Sequence, residues 1–127
     1  MTQPNMPADF FWGNSVSSMQ TEGAWQEDGK GLSVYDVRPA TDHTMDWHDA
    51  IDEYHRYAED LDLMADMGMN MYRIQISWSR VVPDGDGAFN EAGIQYYSDL
   101  IDAMIARGIE PMVNLYHFDM PLALAKS

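Results

Sequence analysis

Met71-Tyr72-Arg73-Ile74-Gln75-Ile76-Ser77-Trp78 decides the fold. Apolar and polar residues alternate along it, and β-branched and aromatic side chains are frequent, so it reads as a strand. The sequence on its N-terminal side has helical periodicity. Tyr54, Ala58, Leu61 and Ala65 follow 4-3-4 spacing, with Ile51 and Met64 beside them. Asp46, Asp49, Asp52 and Glu53 crowd the start, where the positive end of the helix dipole favours acids. Gly68 suits a left-handed cap at the end. On the C-terminal side, Pro83, Gly85 and Gly87 predict a loop. A second helix is predicted from about Asn90 to Arg107, with Ile94, Tyr97, Ile101 and Met104 at 3-4-3 spacing and Gly108 closing it. Ile109 to Tyr116 then reads as another strand, His117-Phe118-Asp119-Met120-Pro121 as a loop, and Leu122 to Ser127 as the opening turn of a further helix.

Further upstream, Phe10-Phe11-Trp12-Gly13 follows Pro7 and is broken by Gly13 and Asn14, so it reads as a first buried strand. Ser15 to about Met45 is rich in Gly, Ser, Asp and Thr and reads as a long loop with one helical turn near residues 17–25. Trp12, Trp25, Tyr35 and Trp47 argue that this loop is packed. Alternating strands and helices imply an α/β fold with a parallel sheet covered by helices. Two architectures satisfy that order, an open doubly wound sheet and a (β/α)8 barrel. No GxGxxG turn follows a strand, which disfavours the dinucleotide-binding version. A complete barrel takes roughly 250 residues. The chain has 127 residues and about three strands, so residues 1–127 are expected to be the incomplete N-terminal portion of one barrel domain.

Lys plus Arg number 7 and Asp plus Glu 21, giving a net charge of −14. Such a field repels a phosphate backbone and an anionic membrane surface, so neither nucleic acid nor membrane is an expected partner. Cysteine is absent, which excludes disulfides and thiolate chemistry and fits a reducing, cytoplasmic compartment. The opening Met1-Thr2-Gln3-Pro4-Asn5 carries neither the basic nor the apolar segment of a secretory signal. No stretch approaches the ~20 apolar residues of a membrane span.

Ligands of either architecture bind beyond the carboxyl ends of the strands. Gln20 and Glu22 fall there after the first strand, Arg73, Ser77, Trp78 and Arg80 on and after the second, and Asn114, His117, Phe118 and Asp119 after the third. Amide, imidazole and guanidinium groups beside aromatic rings suit a hydroxyl-rich ligand, whose C–H faces the rings cover. Each residue also has a plainer reading. Gln20 can cap a loop, and His117 can be a satisfied loop histidine. A charge within a strand must be paired, usually with a carboxylate, and spacing alone leaves Arg73 open between a structural and a catalytic pairing. Asp42, His43, Asp46, His48, Asp49 and His55 match no metal-ligand signature and read as a solvated acidic loop, so no metal or cofactor is expected. The 11 methionines, among them Met64, Met67 and Met104, read as core filling. Asn90-Glu91 reads as a helix start, the Asn capping and the Glu favouring the dipole.

Several of these segments together resemble family 1 of the glycoside hydrolases. They are Phe10 to Ser15, Gln20-Thr21-Glu22-Gly23-Ala24, Asp28-Gly29-Lys30-Gly31, Tyr54-His55-Arg56-Tyr57, Tyr72 to Arg80, Asn90-Glu91-Ala92-Gly93 and Leu115 to Pro121. They span almost the whole chain in the family's order. The resemblance implies a (β/α)8 barrel and retaining β-glycosidase activity. By it, Gln20 and His117 match the side chains that bind the sugar hydroxyls, and Arg73 matches the arginine that hydrogen-bonds the nucleophilic carboxylate. Phe118 stands where many β-glucosidases of the family have tryptophan. The His117-Phe118-Asp119-Met120-Pro121 form and the opening segment look more like the 6-phospho-β-glucosidase branch.

Retaining hydrolysis needs two carboxylates about 5–5.5 Å apart. The family carries them in an Asn-Glu-Pro and a Glu-Asn-Gly motif, and neither occurs here; Asn90-Glu91 is followed by Ala92. No catalytic carboxylate is therefore assigned within these residues. The expectation is a portion of a glycosidase acting on 6-phospho-β-glucosides, with a plain β-glucosidase as the alternative and a non-catalytic sugar-binding half-barrel as the third reading.

Overall fold

The computed structural model describes residues 5–126. Met1–Pro4, in the N-terminal segment read for a signal, and Ser127, which the sequence reading places in a last helical turn, lie outside the described residues. The elements in order are β1 (Gly13–Ser15), α1 (Ser18–Thr21), α2 (Glu53–Asp66), β2 (Met71–Gln75), α3 (Trp78–Val81), α4 (Glu91–Ala106), β3 (Glu110–Asn114) and α5 (Leu122–Ala125). The three strands form one sheet in the order β1-β2-β3, parallel throughout. Gly13 pairs with Met71 and Ser15 with Arg73, while Met71 pairs with Glu110 and Gln75 with Asn114. All three carboxyl ends therefore reach one rim.

The core lies between the sheet and the two long helices. Leu61 of α2, Tyr72 and Ile74 of β2, and Tyr96, Tyr97, Leu100 and Met104 of α4 are buried together with Ile109. Burying each large apolar side chain contributes roughly 1.5–3 kcal/mol. Both long helices end alike. Met69 N–H donates to Met64 O and Gly68 N–H to Ala65 O, with Gly68 at φ +83°; Ile109 and Gly108 repeat the pattern after α4. This double bond to the last carbonyls needs a left-handed residue, which glycine supplies without strain.

Several boundaries differ from the sequence reading. Phe10, Phe11 and Trp12 lie outside the strand, and Phe11 and Trp12 are each 55% exposed. Asn70 captures this segment: Trp12 N–H donates to its side-chain oxygen at 2.7 Å, and its amide donates to Phe10 O at 3.1 Å. The Asn70 side chain thus takes Phe10 O and Trp12 N–H, while Trp12 O accepts from the Asn70 and Met71 backbone N–H groups and regular pairing starts at Gly13. β2 stops at Gln75 because the Ser77 N–H is taken by the Tyr97 hydroxyl at 2.7 Å and the chain turns into α3 at Trp78. The buried stripe of α4 runs through Gly93, Tyr96, Tyr97, Leu100 and Met104, one residue off the predicted stripe at its start, and leaves Ile94 exposed. Met104 is buried as expected, whereas Met67 is 77% exposed. Asn90 precedes α4 but does not cap it. Its amide donates to Asp28 O and Arg80 O, tying the long loop and α3 to the helix start.

Candidate active site

Side chains alternate faces along a strand. Tyr72 and Ile74 enter the helix-covered core, so Arg73 and Gln75 point to the other face. In parallel register, Ser15, Met112 and Asn114 lie beside them. Arg73 is half-buried, and its Nη1 donates to Ser15 Oγ at 2.8 Å. No carboxylate among the described residues pairs with it. The expectation of a carboxylate partner is thus unmet within these residues: a hydroxyl takes one N–H, and the fork keeps further donors.

Gln20 sits on α1, exposed, its side-chain oxygen accepting from the Ser17 hydroxyl. It forms part of the wall of an open concavity of about 410 Å³ shared with Met19, Thr44, Met45, Trp47 and Ile51. His117 is half-buried, its ring 4.6 Å from that of Phe118. Phe118 is 66% exposed, with a left-handed φ of 73°. All four predicted residues therefore belong to the rim or the open face of the sheet. Asn114, also grouped with them, spends its amide on Tyr116 O at 3.0 Å.

Other residues grouped with these by sequence do something else. Arg80 and Glu22 form a buried ion pair at 3.0 Å. The Arg80 fork also donates to Gly23 O, and its guanidinium lies 4.4 Å from the centre of the Tyr54 ring. Tyr97 O–H donates to the other Glu22 oxygen. Burial opposes the charge on Arg80, but Glu22 outweighs it and the guanidinium's pKa is raised. Burial first, and then Glu22, push the Tyr97 phenol well above its ordinary value. These groups are locked in the structure rather than offered to a sugar. In the loop read as acidic and solvated, His48 and His55 have partners within the protein. His48 stacks on Trp25 at 3.8 Å and its Nε2 lies 2.9 Å from Asp36 O, while His55 bridges Asp52 and Glu27. Those two carboxylates raise the His55 pKa.

Asp119, grouped with the site by sequence, has partners there that spacing did not reveal. It is 1% exposed, accepts from Ser18 Oγ at 2.8 Å with one oxygen, and accepts from the Gln75 amide with the other. Gln75 closes the ring by accepting from Ser18 N–H at 3.2 Å. Burial pushes the Asp119 carboxyl up to about 6, against the pull of the Ser18 and Ser77 hydroxyls. Only the adjacency to His117-Phe118 hinted at this in sequence.

The model of "Glycosyl hydrolase family 1" matches residues 2–127. A coniferin beta-glucosidase of Pinus contorta is 50% identical over 97% of this chain and 25% of its own length. An aryl-phospho-beta-D-glucosidase, BglA, of Bacillus subtilis is 46% identical over 96% of this chain and 29% of its own. Among solved structures, a rice beta-glucosidase superimposes with a TM-score of 0.89 at 46% identity, covering 94% of this chain and 26% of that one. A family 1 β-glucosidase from Thermotoga maritima reaches 0.90 at 35% identity, covering 95% of this chain and 29% of that one. The chain thus spans about a quarter of the length of the relatives it matches, and its three parallel strands are the N-terminal part of their eight-stranded barrel. This chain belongs to glycosyl hydrolase family 1.

Proposed function

We propose that the intact protein is a retaining β-glycosidase that hydrolyses 6-phospho-β-glucosides, with residues 1–127 forming part of a single barrel domain. Arg73 is the observation that carries the glycosidase reading. A half-buried guanidinium on the open face of the sheet, with a single hydroxyl acceptor, is prepared to receive a carboxylate from beyond these residues. That carboxylate attacks the anomeric carbon as the bond to the aglycone oxygen breaks, a second carboxyl group giving its proton to the departing oxygen; the same group, now a carboxylate, takes a proton from the water that releases the sugar from the glycosyl-enzyme. Gln20 and His117 hold sugar hydroxyls, and Phe118 presents a ring at the rim. No cofactor or metal takes part. The cysteine-free chain fits a cytoplasmic location, where a phosphorylated sugar is retained.

Two features support the phosphorylated substrate, Phe118 in its His-Phe-Asp-Met-Pro setting and the phospho-glucosidase relatives, which include a Bacillus subtilis 6-phospho-beta-glucosidase at 45% identity. A second reading, a plain β-glucosidase, is favoured by the engagement of the cations. Lys30 pairs with Asp36, Arg80 with Glu22, Arg107 with Asp62 and Arg56 with Glu59. With four of the seven Lys and Arg side chains engaged in this way, the phosphorylated reading calls on residues outside this quarter of the barrel to meet the phosphate. Comparing kcat/KM for p-nitrophenyl β-glucoside 6-phosphate and its unphosphorylated form at one pH decides the matter. We expect at least a tenfold preference for the phosphorylated compound, about 1.4 kcal/mol of differential transition-state binding. Equal values would leave the plain β-glucosidase, and no turnover of either would leave a non-catalytic barrel.

A further inference from the structure

We propose that the buried Ser18–Gln75–Asp119 ring is a positioning device that sets the two sugar-binding side chains, Gln20 and His117, at a fixed separation and holds Phe118 in its left-handed conformation. The proposal rests on the glycosidase reading above for what Gln20 and His117 bind, but the ring itself rests on geometry alone.

Its three corners come from three different βα connections. Ser18 opens α1, just after β1; Gln75 is the last residue of β2; Asp119 lies in the loop after β3. They are 4%, 2% and 1% exposed, and each is hydrogen-bonded to the other two. A buried carboxylate must be met by donors, so the Asp119 side chain has one place to sit. Its backbone is fixed with it. Gln20 is two residues beyond one corner, within the same helical turn, and His117 is two residues before another. Phe118 is caught between His117 and the anchored Asp119.

A second set of bonds holds the far side of the same loop. Val34 N–H donates to Met120 O at 2.9 Å and Leu122 N–H to Leu32 O at 2.7 Å. Left-handed backbone at a non-glycine residue persists only where its surroundings over-determine it. The ring at Asp119 and these bonds at Met120 and Leu122 fix the backbone immediately after Phe118, and the Asn114 amide on Tyr116 O holds the stretch before it. The exposed Phe118 ring and the half-buried His117 imidazole, 4.6 Å apart, are thereby aimed by the backbone that carries them. Asp119 donates nothing to a sugar and touches no reacting atom; it acts through its neighbours. Displacing a positioned group by about 1 Å can cost on the order of a hundredfold in rate.

The test uses the intact protein. Asp119→Ala opens the ring. Asp119→Asn keeps its size and, with the Ser18 hydroxyl rotated to accept, rebuilds all three sides. We expect Asp119→Ala to lower kcat/KM on the preferred aryl glucoside about a hundredfold and Asp119→Asn to recover most of that. The decisive measurement is a cycle in which Asp119→Ala is added to His117→Ala. If Asp119 works through His117, the second loss is far smaller than the first, since coupled residues are non-additive. Losses that add in full, or an Asp119→Ala enzyme with normal kcat/KM, would overturn the proposal. Ser18→Ala, a milder change, should show the same direction if Asp119→Ala does not fold. Hydrogen exchange supplies an arm that needs no turnover. The Val34 and Leu122 amides should exchange at least tenfold faster in the Asp119 or Ser18 variant, while amides of α4 stay unchanged. Unaltered exchange at those two amides would sink the ring as a clamp. An inactive wild-type protein with accelerated exchange in the variants would instead sink only the glycosidase reading.

Discussion

Arg80 has a fully buried side chain, and its partners come from sequence far away: Glu22, Gly23 O and the Tyr54 ring. Removing one member of a buried pair leaves the other charge without compensation, which costs about 3–5 kcal/mol. Arg80→Met should therefore lower the urea midpoint of the intact protein sharply. Adding Glu22→Gln should recover part of the loss, because the orphaned charge goes too. A single variant as stable as the parent would show that Glu22 finds other donors. At this scale the sequence is legible only in part. Arg73 stands out because a cation interrupts an apolar strand. Arg80 does not, because a pairing across 58 residues leaves no trace in local spacing. The same holds for Asp119, whose partners Ser18 and Gln75 lie 101 and 44 residues away.

Helix α4 is placed against α3 through a glycine. A Cβ built at Gly93 would lie 2.3 Å from the Arg80 carbonyl oxygen, a backbone atom that a rotamer change cannot move. Gly93→Ala raises helix propensity by about 0.5–1 kcal/mol, yet the clash forces the two helices apart. Overpacking of this kind costs about 1–3 kcal/mol, so the net effect should be destabilising, read as a lowered Tm of the intact protein. A raised Tm would mean that α3 yields freely. Element type was legible in the sequence wherever periodicity extends over three turns, as in α2 and α4. Strand edges were not. Phe10-Phe11-Trp12 has strand composition, but the Asn70 side chain takes Phe10 O and Trp12 N–H, and β1 begins at Gly13. Trp78 is strand-like by composition and helical in fact, because the Tyr97 hydroxyl ends the ladder at Ser77.

Across the whole molecule, β1 and β3 each have a free outer edge among the described residues, and Met112, Val113 and Leu115 are exposed on or beside β3. Unpaired edges next to apolar surface invite other strands, while a net charge of −14 keeps copies apart. The 127-residue chain produced alone should therefore self-associate more as salt rises from low to about 0.15 M, where the screening length falls to about 8 Å. Light scattering after size exclusion reads this directly; a monomer at all salt concentrations would mean the edges are covered. The same chain should turn over no aryl β-glucoside, since it holds neither family motif bearing the catalytic carboxylates. The parallel order of the sheet also has a consequence in time. Trp12 and Asn70, which seat β1 beside β2, are 58 residues apart. A ribosome adding about 5–20 residues per second needs roughly 3–12 s to cross that interval. For those seconds Phe10, Phe11 and Trp12 have emerged with no partner strand made, so this aromatic triplet offers a nascent-chain chaperone something to hold.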